Sequence, residues 1–280
     1  MAAWVVPTPS SSRAAGHVSW STTSAVPWTV TAGATARPRR SWTRSPRPAA
    51  RRWRTTTRSP RPKAARPSCR APSTFDTVDI VINNAGILRD KTFHNMTPDL
   101  VEPVIAVHLL GAFYVTQPAW TVMRDKGYGR VINTSSNSGL LGNFGQANYG
   151  AAKLGLVGFT RVLANEGKAK GIKVNAIAPV AKTRMTEDLL GPMGDKLEPG
   201  EVTPTVIYLA HEDCPVNGEV YSVAGGVVAR YFIGLTKGWY SEGHTPEDVR
   251  DHFEEIRDET GYIVPEDPSG ELKKLLETLQ

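Results

Sequence analysis

Three side chains define the chemistry this chain could do: Ser136, Tyr149 and Lys153. Tyr149 and Lys153 stand four residues apart, which places both on one side of a helix. A phenol titrates near 10 in water and is a poor base near neutrality, and an ammonium group beside it favours the phenolate. Such a pair could give or take the proton that moves when a hydride joins or leaves an alcohol carbon. Ser136, thirteen positions before Tyr149, could hold the oxygen on that carbon. Ser136 could also do no more than cap a turn, as serines in such loops often do.

Positioning these groups requires a sheet with helices on it, and the pattern from Val78 onward supplies one. Strands are expected at Val78–Asn83, Gly129–Thr134, Ile172–Ile177 and Glu219–Val223, each an apolar run closed by polar residues, proline or glycine. Helices are expected over Pro98–Met123, with Val101, Ile105, Leu109 and Phe113 on one side, and over Tyr149–Glu166, with Leu154, Val157, Phe159 and Val162 facing a core. A shorter helix spans Val202–Ala210. Strands alternating with helices predict an α/β fold, a doubly wound parallel sheet covered on both faces. Ligands of such sheets sit at the carboxyl ends of the strands, and Asn83, Ser136 and Pro179 all fall at such ends. No repeat and no apolar run of membrane-spanning length is evident.

Taken together, Asn83-Asn84-Ala85-Gly86, Ser136, Tyr149-X-X-X-Lys153 and Val174–Pro179 with Thr183 resemble the short-chain dehydrogenase/reductase family, over about Asp76–Val228. The resemblance implies a Rossmann-like fold and an NAD(P)-dependent hydride transfer. Tyr149 would be the general acid/base, Ser136 would orient the substrate oxygen, and Lys153 would also hold the nicotinamide ribose. Asn83, Ala85 and Gly86 would support the adenosine side, or simply form a turn. Pro179 and Thr183 would contact the nicotinamide, although Pro179-Val180 stands where the family usually has Pro-Gly. His108 occupies the place of a family asparagine in the central helix, as a proton relay or as a histidine bonded to backbone.

Composition divides the chain into 1–72, 73–230 and 231–280. Fourteen of the 33 Lys and Arg precede the first acidic residue, Asp76, so the overall charge of +6 belongs to the first segment and the remainder is acidic. Residues 1–72 hold five of the seven Trp and ten of the 21 Pro but no Leu or Ile, and are expected to order poorly. An Arg-rich, acid-poor segment could be a targeting sequence or could grip a nucleic-acid backbone. The favoured reading is a shifted reading frame. Trp4 before Val5 forces a glycine codon one frame over, and Trp28 before Thr29 forces an aspartate codon. The shifted frame allows a glycine turn, an amphipathic helix, an apolar strand and a closing aspartate, in that order. As written, residues 1–72 contain only Gly16 and Gly33, so no glycine-rich loop exists to receive a pyrophosphate at a helix N-terminus. The first β-α-β unit of the sheet is therefore expected to be missing.

The last segment has a helix start at Thr245-Pro246-Glu247-Asp248, an apolar stripe of Val249, Phe253 and Ile256, and a final helix near Leu272, Leu275 and Leu276. With Val223–Arg230 it resembles the hydroxyacyl-CoA dehydrogenase domain of multifunctional β-oxidation enzymes. That resemblance implies a 3-hydroxyacyl thioester substrate, with steroid or simple alcohol oxidation as the competing class. A non-catalytic member of the family is the alternative from another class. NAD is expected over NADP through the aspartate of the shifted frame. Cys69 and Cys214 suggest neither a disulfide framework nor a metal site, consistent with a cytoplasmic protein. The family resemblance implies a homodimer or homotetramer, with no membrane or nucleic-acid partner.

Overall fold

The apolar runs of the sequence become neighbouring strands of one sheet. The computed structural model describes residues 77–183, 186 and 191–279, with the backbone of 3–6 and 18–19. In chain order the strands are β1 (Ala3–Val6), β2 (Val18–Ser19), β3 (Ile80–Asn83), β4 (Gly129–Thr134), β5 (Ile172–Pro179), β6 (Val220–Ala224) and β7 (Val227–Tyr231). Their order across the sheet is β2-β1-β3-β4-β5-β6-β7. Strands β3 to β6 run parallel, as the alternation of strands and helices requires, and β7 turns back antiparallel on β6. The Gly225-Gly226 turn between β6 and β7 has both residues at positive φ, 51° and 79°, which glycine adopts without strain.

The expectation for the first β-α-β unit can be judged only at β1 and β2. Strand β1 lies beside β3 but runs against it, with Ala3 opposite Asn83 and Val6 opposite Ile80. A chain leaving β1 therefore departs at the amino end of the parallel strands, away from the end where ligands bind. The rest of 1–76, with its targeting, nucleic-acid and shifted-frame readings, lies outside the described residues.

One face of the sheet is covered by two long helices. Helix α1 (Pro98–Ile105) passes through a π turn (Ala106–Leu110) into α2 (Gly111–Lys126), and α4 (Ala147–Gly167) follows the short α3 (Asn137–Leu140). Val81, Val131, Ile172 and Val174 of the sheet meet Ala119, Met123 and Ala164 of these helices in the main core. On the opposite face Ile132, Ile177 and Val223 pack on Leu209 and Ala210 of α5 (Thr203–Ala210). At the amino end of the strands the buried Arg130 guanidinium binds the carbonyls of Gly129, Gly171, His211 and Glu212, tying the ends of the connections together.

The faces of the long helices differ from the sequence expectation. Of Leu154, Val157, Phe159 and Val162, only Val157 is buried, while Leu154 and Val162 are about half exposed. The core side of α4 is instead Ala152, Lys153, Leu156, Val157, Thr160 and Ala164. Likewise Phe113 is exposed, whereas Val104, His108, Ala112 and Thr116 point inward. Residues four apart drift around a helix of 3.6 residues per turn. The wider π turn at 106–110 takes up that drift and keeps all four on the sheet side. Phe113 stacks on Phe159 at 4.1 Å between ring centroids, so the outward faces of α2 and α4 form one continuous apolar surface.

By length and composition alone Pro98–Lys126 could cross a membrane, an 18-residue window within it having mean hydropathy 1.4. Its inner side packs on β3, β4 and α4, and its outer side carries exposed Phe113 and Tyr114. The C-terminal segment adds α6 (Pro246–Asp251), α7 (Phe253–Arg257) and α8 (Pro268–Thr278). A capping box between Thr245 and Asp248 starts α6 as the sequence suggests. Arg161 of α4 holds the segment through the carbonyls of Pro265 and Glu266.

Candidate active site

Strand β4 ends at Thr134, and the next two residues turn the chain over the carboxyl edge of the sheet. Ser135 is buried and donates its hydroxyl to the Lys153 carbonyl at 2.8 Å, fastening this turn to α4. Ser136, in extended conformation, is the N-cap of α3 and accepts from the Ser138 amide at 3.2 Å. The capping reading is thus correct for its backbone role, and its hydroxyl donates to the Asn137 side-chain oxygen at 3.3 Å while favouring the ionised form of the neighbouring Tyr149. Gly139 permits this closeness, because a Cβ there would lie 2.7 Å from the Leu154 amide nitrogen of α4.

Tyr149 sits in the first turn of α4, partly buried, and Lys153 lies one turn on, with its ammonium 5.5 Å from the Tyr149 ring centroid. The ammonium is buried and donates to the Thr134 carbonyl at the end of β4. Burial pushes the Tyr149 phenol above its ordinary value; the Ser136 hydroxyl opposes this and the Asp90 carboxylate adds to it. Burial brings Lys153 down to about 7. Both groups lose water, so each favours its neutral form.

A polar chain runs beneath the site. The Asn83 amide donates to Thr116 at 3.0 Å and to Asn133 at 2.8 Å, and Asn133 donates to Thr160 at 2.8 Å. The Asn83 side chain thus spends its donors on joining β3, β4, α2 and α4. Ala85 and Gly86 lie in the turn that follows β3, where Thr134 also donates to Asn84 at 3.1 Å. His108 reaches this turn from the π turn and bonds Ile87 backbone, the non-relay reading of that residue. Pro179 closes β5, and the Val180 amide continues the ladder to the Val223 carbonyl at 3.0 Å. Thr183 is exposed, and its amide donates to the Thr186 hydroxyl at 2.8 Å.

Ser136, Tyr149, Lys153 and His108 are thereby brought together, while Thr183 stands in a separate loop. Sequence reasoning missed Asp90 and Gln146. The Gln146 amide donates to Asp90 at 2.7 Å, pinning the loop after β3 to the start of α4 and placing a carboxylate near Tyr149. No spacing signal marks that pair, because the two residues are 56 positions apart. Thr134 was legible only as a strand end. Among the described residues no cluster of His, Cys, Asp or Glu could hold a metal ion.

For a nicotinamide cofactor, the described groups fit one end: a buried ammonium and a phenol at the carboxyl edge of a parallel sheet. Among the described residues nothing forms the pyrophosphate end, and β1 runs in the wrong direction for a strand–turn–helix cradle.

The family model for short chain dehydrogenase matches residues 61–191. Peroxisomal multifunctional enzyme A of Dictyostelium discoideum is 42% identical over 207 residues, covering 74% of this chain and 47% of that enzyme. Acetoacetyl-CoA reductase of Rhizobium meliloti is 44% identical over 170 residues, covering 56% of this chain and 70% of the reductase. The solved full-length peroxisomal multifunctional enzyme type 2 of Drosophila melanogaster superposes with a TM-score of 0.65 at 36% identity, covering 71% of this chain and 37% of that one. The chain thus spans about half the length of the Dictyostelium enzyme and less of the fly enzyme.

Proposed function

The chain belongs to the short-chain dehydrogenase family and is by that membership an NAD(P)-dependent oxidoreductase, and on this premise we propose that it reduces 3-oxoacyl thioesters or oxidises the matching 3-hydroxyacyl thioesters. The observation that carries the chemistry is the placement of Tyr149 beside the buried Lys153 ammonium, 5.5 Å from its ring centroid, with Ser136 at the facing N-cap of α3. The substrate class is supported by the names of the acetoacetyl-CoA reductase and the peroxisomal multifunctional enzymes among its relatives.

The dinucleotide, when bound, supplies the hydride. Ser136 donates a hydrogen bond to the substrate oxygen and fixes its direction. Tyr149, protonated at neutral pH as a phenol is, gives the phenolic proton to that oxygen in reduction and recovers it from solvent. Lys153, near 7, is poised to exchange a proton with its surroundings in the working pH range and to bind ribose hydroxyls in its charged form. Pro179 and Thr183 would line the nicotinamide side. NAD is preferred over NADP on the strength of the aspartate read in the shifted frame. A cytoplasmic location is compatible with the free, buried Cys214. A homo-oligomer through the outward faces of α2 and α4 is supported by the exposed Phe113, Leu154 and Val162.

A second reading, a non-catalytic relic, is favoured by the direction of β1. The two are separated by following acetoacetyl-CoA-dependent NADH oxidation as the NADH concentration rises into the millimolar range. Turnover that climbs without saturating at micromolar NADH, and that Tyr149→Phe abolishes, supports the enzyme with a weakened cradle. Turnover indistinguishable from the Tyr149→Phe variant at every concentration supports the relic.

A further inference from the structure

We propose that His108 is a positioning residue that clamps the Asn84–Ile87 turn to the Tyr149 ring, and that position 86 is glycine in order to admit it. This rests on the assignment of Tyr149 as the proton donor. The π turn directs His108 inward to 3% exposure, where its Nε2 lies 2.8 Å from the Ile87 carbonyl oxygen and 3.0 Å from the Ile87 amide nitrogen. A neutral ring makes one of these bonds in each tautomer, and either fastens Ile87. A Cβ on Gly86 would lie 2.6 Å from His108 Cε1 and 3.5 Å from both ring nitrogens, so the imidazole edge occupies the space a side chain would take. Gly86 keeps a negative φ, so contact with the ring and not backbone conformation is what demands glycine. The other side of the ring meets Tyr149 edge-on, with centroids 5.1 Å apart and planes at 90°. Nδ1 is the one buried side-chain nitrogen or oxygen among the described residues without a hydrogen-bond partner.

The groups facing the imidazole are the Ile87 backbone, Tyr149 and, electrostatically, Lys153. Burial, reinforced by the Lys153 charge, brings His108 down to about 4. It is thus neutral across the working range, which removes it as a charged relay and leaves a rigid wedge. The turn it fastens follows β3 at the ligand-binding edge of the sheet. His108 therefore sets the distance between that turn and the proton donor, a task that the family's asparagine position would not reveal from sequence.

A double-mutant cycle tests this. Gly86→Ala is expected to lower the thermal midpoint by about 2–10 °C through overpacking. His108→Asn, which makes room while retaining a group that can bond Ile87, is expected to restore at least half of that loss in the Gly86→Ala background. In the unsubstituted chain, nitrogen-15 spectra of His108 are expected to show one neutral form with no titration between pH 5 and 8. In His108→Asn, the Tyr149 ring-carbon titration is expected to move toward its ordinary value as water enters. Additive midpoints would overturn the pairing. An imidazole titrating near 6.5, or a Tyr149 titration unmoved by His108→Asn, would overturn the clamp. None of these readouts needs turnover, so a Tyr149→Phe variant with intact activity would defeat the functional assignment and leave them standing.

Discussion

Tyr149 and Lys153 show how burial decides the direction of proton traffic. With the phenol raised and the ammonium lowered, the resting pair is closer to neutral than a fixed phenolate and ammonium would be. Tyr149→Phe is expected to lower kcat by about 10²–10⁴-fold in the acetoacetyl-CoA assay, the usual worth of a positioned proton donor. Lys153 titrates at about 7 in the fold against 10.5 unfolded, so between those values the unfolded chain holds the proton that the folded chain has lost. Stability should therefore rise with pH from about 7 to 10.5, and the full cost of burying the ammonium should persist below 7. Lys153→Met is expected to raise the thermal midpoint more at pH 6.5 than at pH 10, and equal gains at both would contradict the assignment. Residue types and spacing made Ser136, Tyr149 and Lys153 legible in the sequence. The Asp90–Gln146 contact was not legible, because it joins two loops whose approach only the fold determines.

The long helices carry two apolar faces, and that is why their orientation could not be read from periodicity. Leu154, Phe159 and Val162 are more hydrophobic than Ala152, Thr160 and Ala164, yet the second set faces inward because small residues allow α4 to lie close. Strands were easier: β4 is buried at all six positions and β5 at most, so a continuous apolar run sufficed. The outward face is expected to be covered in an oligomer. Phe159→Glu should shift sedimentation toward the monomer with little change in helix content, and an unchanged assembly would place the interface elsewhere. Gly139 is the close-approach point between α3 and α4, and Gly139→Val should cost about 1–3 kcal/mol by overpacking. Because it stands between Ser136 and Tyr149, the same change should also lower kcat, and a loss of stability with full activity would separate the two roles.

At the scale of the whole molecule, the two faces of the sheet are unequally covered. Among the described residues α2 and α4 shield one face, while α5 alone packs centrally on the other, beside a groove of about 670 Å³ that includes exposed Ile207 and Tyr208. A doubly wound sheet closes such a face with helices of its first β-α-β unit. Residues 1–72, with two glycines, no leucine and no isoleucine, are poorly suited to build it as written. The parallel order of β3 to β6 was legible from the alternation of strands and helices. The reversed direction of β1 was not, because a four-residue apolar run carries no information about polarity. On the shifted-frame reading, a proton-transfer site stands on a sheet whose cofactor cradle would be encoded one frame over. That reading is tested most directly by titrating NADH, followed by its fluorescence, into this chain and into one whose residues 1–72 are translated from the same nucleotides in the shifted frame. No saturation in the micromolar range is expected for the first and saturation for the second, and micromolar affinity in the chain as written would contradict the shifted-frame reading.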